Sequence, residues 1–188
     1  IDSESALRLL VEGNARFSKG LRSIDVFAAN LQLRDLAAKG QNPFCIVLTC
    51  SDSRAPTETI FDRGIGDMFV LRTAGNVLSS ALFAGIEYAL EHFSVSLCLV
   101  LGHTNCGAIA TSIKCIENPK LILPSIHIES LVRKILSSRQ TRQLSDRSLA
   151  IDSIRKTVNG ICNDSPLVRQ KLKSGTFKVV GAIYNIES

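Results

Sequence analysis

The chain has 188 residues, long enough to bury one full core and short for two ordinary domains. Its net charge is +5, yet the basic residues are spread out, with one modest cluster at Arg133, Lys134, Arg139, Arg142 and Arg147, and no nucleic-acid-binding motif accompanies them. No apolar run approaches the roughly 20 residues of a membrane span, so neither a nucleic-acid partner nor a span is expected.

Residues 4–19 predict an amphipathic helix with Leu7, Leu10, Val11 and Phe17 on one face and Gly20 as its stop. A second helix is expected over 26–39, where Phe27, Leu31 and Leu36 share a face and Gly40 ends it. Together they form an N-terminal helical arm over 1–40, packed either on a partner subunit or on the chain's own sheet. After the turn signal Gln41-Asn42-Pro43, Phe44 to Thr49 reads as a buried strand. A short helix is expected over 57–62, a strand over 68–71, and a helix from Ser79 or Ser80 to about His92. Gly64-Ile65-Gly66 lacks a third glycine and precedes a strand, so it is no dinucleotide-binding fingerprint. Ser96 to Leu101 is a third strand, followed by helices over 107–117, 125–137, 148–161 and 166–173 and a last strand over 177–184.

This alternation predicts an α/β fold. Its mainly parallel central sheet has about four strands flanked by helices, with room for an antiparallel edge strand. One domain is expected over 1–188, the arm leading into a core over 41–188. If the first and third strands are neighbours, their C-terminal ends form a topological switch point, where open sheets place their sites.

The first strand runs into Cys50-Ser51-Asp52-Ser53-Arg54, and the third into Gly102-His103-Thr104-Asn105-Cys106-Gly107. Six cysteines are present, but not in the pattern of a small secreted disulfide framework, and reduced, metal-binding cysteines fit better. Cys45 and Cys98 sit inside strands as small hydrophobes. Cys50, His103 and Cys106 offer two sulfurs and an imidazole, a donor set suited to tetrahedral zinc. Two arrangements stay open for Asp52. It could complete the shell as a fourth ligand, or it could pair with Arg54 and leave that position to a water whose pKa zinc brings towards about 7.

With these residues in view, the chain resembles the β-class carbonic anhydrases. The match runs in order through Cys50 to Arg54, Gly66 to Asn76, Ile86 to Ala89, Leu101 to Ala108 and Val180 to Tyr184. The resemblance implies one zinc per chain on Cys50, His103 and Cys106, with Asp52 and Arg54 as the dyad that gates and orients the zinc water. It implies reversible hydration of CO2 to bicarbonate and a proton. It also implies an active site at a homodimer interface, often within a tetramer or larger assembly. Gln41, Phe69 and Tyr88 would then contact substrate, with Gly107 beside the metal cysteine. The absence of Trp removes the inhibitory bicarbonate site that other members carry, which favours an open zinc. Thr73 stands where many members carry asparagine or valine, and the family's sheet usually continues past the last strand found here.

A related hydrolase acting on CS2 or COS would use the same ligands, and a catalytically silent zinc protein is the non-enzyme alternative. Asp52, Arg54 and Gln41 argue against the latter. The cytoplasm is the expected compartment, with the periplasm or an organelle left open because the chain starts at Ile1.

Overall fold

The computed structural model describes residues 1–21, 38–140 and 145–187. The helix expected over 26–39 lies outside them for residues 26–37. Among the described residues, four strands form one sheet: β1 (Cys45–Cys50), β2 (Met68–Thr73), β3 (Leu97–His103) and β4 (Lys178–Tyr184). Their order is β2-β1-β3-β4, and every pairing is parallel. The α/β expectation therefore holds, while the antiparallel edge strand is not part of the described sheet.

Burial explains the order. Every residue of β1 and of β3 is buried, the mark of central strands covered on both faces. The edge strands β2 and β4 are only partly covered. Along β1 the side chains alternate between two cores. Ile46 and Leu48 join Cys98, Val100, Ile86, Ile154 and Val168 on one face. Cys45 and Val47 join Leu97, Leu99, Leu101, Ala6 and Leu10 on the other. The first face is covered by α3 (Ser80–His92), α6 (Asp146–Asp164) and α7 (Pro166–Lys173). The second is covered by α1 (Ser3–Ser18) and the one-turn α2 (Thr57–Ile60). The first helix of the arm thus packs on its own sheet.

Helix α1 lies against the chain just after α2. Asn14 donates to the Ile60 carbonyl at 3.2 Å, and Arg16 reaches Asp62 at 2.6 Å. The helix expected over 57–62 stops at Ile60, and Asp62 turns to a positive φ of 47°. Helix α6 begins two residues before its expected start at 148. There Ser145 and Ser148 cap each other's backbone N–H, and this hydroxyl pair carries no apolar period to mark it.

The remaining helices, α4 (Gly107–Glu117) and α5 (Ile126–Leu136), close over the C-terminal ends of the central strands. Ile109, Ile113, Ile135 and Leu149 pack there with Cys50 and Cys106. Strand order reverses between β1 and β3, so this end of the sheet is its topological switch point.

Candidate metal centre

Cys50 is the last residue of β1 and His103 the last of β3, so the two strands run one and two residues further than the sequence predicts. Because β1 and β3 pair directly, with Thr49 opposite Leu101, the two side chains emerge side by side. Cys106 is the N-cap of α4, where the turn after β3 brings it back over the sheet. The donor atoms of all three buried residues lie within 4.8 Å of one another. The two sulfurs are 4.0 Å apart. Two thiolates on a tetrahedral zinc, each about 2.3 Å from it, would sit about 3.8 Å apart, so the trio needs almost no rearrangement.

The imidazole fits the same reading. His103 Nδ1 lies 2.8 Å from the Thr104 carbonyl, which can only accept, so Nδ1 carries the proton. Nε2 is buried and has no hydrogen-bond partner. A buried nitrogen left in that condition costs on the order of 1–3 kcal/mol unless something binds it, and a cation between the two sulfurs would do so.

The neighbouring Cys106 thiol, aided by local backbone, prepares Cys50 as a thiolate. Gly75 holds a positive φ of 62°, which lets its N–H donate to Cys50 Sγ at 3.4 Å. A Cβ there would come within 3.0 Å of Ile135 and 3.2 Å of Ala108. A hydrogen bond from the Cys106 thiol, with help from the backbone N–H groups of Asp52 and Gly75, pulls the Cys50 pKa down to about 4 against the effect of burial. Cys106 moves the other way, because the neighbouring thiolate holds its proton.

Asp52 is gripped by Arg54. Nε donates to Oδ1 at 2.9 Å, Nη2 to Oδ2 at 2.8 Å, and the Arg54 backbone N–H to Oδ1 at 2.9 Å. These bonds hold the carboxyl well below the usual carboxylate range. Oδ2 stands 3.9 Å from His103 Nε2, beside the trio with its oxygens already engaged. Of the two arrangements open for Asp52, the geometry is that of the Arg54 pair.

Arg72 is not among the candidate site residues that the sequence points to. From the neighbouring strand it donates to the Cys50 carbonyl at 3.2 Å and to the Asp52 carbonyl at 2.7 Å, clamping the segment that carries both. The register that places Arg72 opposite Thr49 was the missing signal.

The expected substrate residues are arranged differently. Gly107 opens α4 beside Cys106, with space where a Cβ would go. Phe69 lies opposite Ile46, four residues before Cys50, or roughly 13 Å along the strand. Tyr88 stacks on Phe69 at 6.2 Å and on His92 at 4.0 Å, with 49% of its surface exposed. Gln41 is exposed ahead of β1. A single chain therefore brings Cys50, His103, Cys106, Asp52, Arg54 and Gly107 together, but not Gln41, Phe69 and Tyr88. The physical reason is register, since the two groups belong to opposite ends of parallel strands.

Comparison with known proteins agrees with this geometry. The family model described as carbonic anhydrase matches residues 45–188. Carbonic anhydrase 2 of Mycobacterium tuberculosis is 32% identical over 187 residues, spanning 97% of this chain and 88% of its own length. The carbonic anhydrase of Mycolicibacterium smegmatis is 32% identical over 186 residues, with 97% and 88% covered. Among solved structures, the β-carbonic anhydrase CcaA superposes with a TM-score of 0.69 at 27% identity, over 97% of this chain and 85% of that one. One from the ascomycete Sordaria macrospora, described as a tetrameric β-carbonic anhydrase, shares the fold with a TM-score of 0.73 at 21% identity, over 97% and 93%. The chain belongs to the carbonic anhydrase family, in its β class.

Proposed function

We propose that this chain catalyses the reversible hydration of CO2 to bicarbonate and a proton, with one zinc held by Cys50, His103 and Cys106. The observation that carries the proposal is the buried trio itself, with sulfurs 4.0 Å apart and an unpartnered His103 Nε2, next to a carboxylate held ionised by arginine. Zinc in that position supplies Lewis acidity that brings the pKa of a water towards about 7. The chain's own groups do the rest. Asp52 accepts a hydrogen bond from the attacking water and aims its lone pair at the carbon of CO2. Its carboxyl lies too far below neutrality to keep the proton, so the proton leaves to buffer. Arg54 fixes the carboxylate plane, and Arg72 fixes the backbone beneath it.

A second copy completes the pocket in this reading. Gln41 and Tyr88 are exposed in one chain, and Phe69 is stacked beneath Tyr88 at the far end of β2. Docking two copies brings these residues of one to the trio of the other, so a homodimer is the smallest active unit, within a tetramer if dimers pair. A single domain over 1–188 belongs to this reading, supported by α1 sharing a core with β1 and β3. Among the described residues no helix is long and apolar enough to cross a membrane.

Zinc content and CO2 hydration, measured on one preparation of wild type and of Cys106→Ser, test the proposal. Loss of both in the variant supports it, and full activity without the metal refutes it.

A further inference from the structure

His103 is aimed by a network that lies outside both ligand motifs. The carbonyl that accepts its Nδ1 proton belongs to Thr104, and Thr104 is held by three bonds, one to the end of β4 and two to the segment that follows it. Its N–H donates to the Tyr184 carbonyl at 2.9 Å. Its hydroxyl donates to Asn185 Oδ1 at 3.2 Å and accepts from the Ile186 N–H at 3.1 Å. One hydroxyl proton and one lone pair are thereby used in compatible directions. The next residue, Asn105, sits at a positive φ of 57°, and its Nδ2 donates to Glu187 Oε1 at 2.9 Å. The Asn105 carbonyl accepts from Arg54 Nη2 at 3.0 Å, the same nitrogen that holds Asp52. The two residues between His103 and Cys106 are thus tied to a stretch about 80 residues later, and the tie continues to the carboxylate.

We infer that Thr104 and Asn185 are positioning residues of the metal site, through which the segment after β4 sets the tautomer and ring plane of His103. This rests on the reading of Cys50, His103 and Cys106 as metal ligands. The physical basis is that a histidine ligand binds through one nitrogen only as well as its other nitrogen is fixed. Here the fixing acceptor is a peptide carbonyl in a short turn, which would otherwise be free to rotate with that turn. The Thr104 hydroxyl and Asn185 carboxamide remove that freedom. The Glu187–Asn105–Arg54 path gives the Asp52 carboxylate the same anchor.

The test uses the full chain as wild type, Thr104→Val, Thr104→Ser, Asn185→Ala, Asn185→Asp and Cys106→Ser. Zinc Kd is measured by competition with a chromophoric chelator, the melting temperature on the metal-free protein, and the ligand-field spectrum on the cobalt(II) form. Thr104→Val and Asn185→Ala are expected to weaken zinc binding roughly 10–100-fold and to shift the cobalt bands. Thr104→Ser and Asn185→Asp, which keep the hydroxyl and the acceptor, are expected to return towards wild type. Asn185 is exposed, so its variants keep the question open to refutation even if Thr104→Val fails to fold. A lower melting temperature with unchanged Kd and unchanged cobalt bands means a merely structural role and overturns the inference. Wild-type protein that binds no zinc, or Cys106→Ser that binds it equally well, overturns the ligand reading and the inference with it.

Discussion

Arg54 binds both carboxylate oxygens of Asp52, at 2.9 and 2.8 Å, and its third bond, to the Asn105 carbonyl, ties the turn after β1 to the turn after β3. One guanidinium therefore sets both the charge of the carboxylate and its place beside the trio. Asn in place of Asp52 would keep the size but lose the charge and the bidentate bond. Asp52→Asn is expected to retain zinc and lose roughly 100-fold or more in CO2 hydration. Metal analysis and stopped-flow rates on the same sample check this, and an unchanged rate would remove Asp52 from the mechanism.

The separation of Phe69 from Cys50 by four strand positions makes the two-copy pocket testable by mixing. Cys106→Ser lacks a metal ligand but keeps Phe69, while Phe69→Ala keeps the ligands. If each pocket takes its aromatic wall from the other copy, a mixed dimer contains one sound site. Refolding the two variants together at equal amounts is then expected to restore about a quarter of the wild-type rate per chain, since half of the random dimers are mixed. No recovery above the separate variants would place the whole pocket within one chain.

Arg72 is expected to act on metal retention. Arg72→Ala frees the carbonyls of Cys50 and Asp52 and should speed zinc loss to a chelator. Arg72→Lys should restore this only in part, because a single ammonium lacks the fork that spans two carbonyls. Equal zinc loss from all three proteins would count against the clamp.

Gly13 tests the docking of α1. A Cβ at this position would fall 1.8 Å from the Phe61 carbonyl oxygen, which is backbone and cannot swing aside. Gly13→Ala is expected to destabilise the protein by about 1–3 kcal/mol, seen as a lower denaturation midpoint. A midpoint equal to wild type would show that α1 does not sit this close to residue 61.

The sequence made the site legible where chemistry follows an apolar run. Cys50 and His103 end strands whose apolar runs already read as buried strands of a mainly parallel sheet, while their being neighbours comes from the sheet order. What escaped was information held in register and in distant pairing. Arg72 reads as an ordinary strand residue until it stands opposite Thr49, and Thr104 reads as a filler of H-x-x-C until Asn185 reaches it. Phe69 and Tyr88 were assigned to a pocket by resemblance, and only the strand register shows that one chain holds them apart from its own trio.

The most direct measurement is zinc stoichiometry and CO2 hydration on one purified, zinc-replete sample, before and after removal of the metal by a chelator. The expected result is one zinc per chain with hydration well above the buffer rate, lost on chelation and regained when zinc is returned. One firmly bound zinc per chain with no hydration, or hydration that survives complete metal removal, would contradict the proposed mechanism.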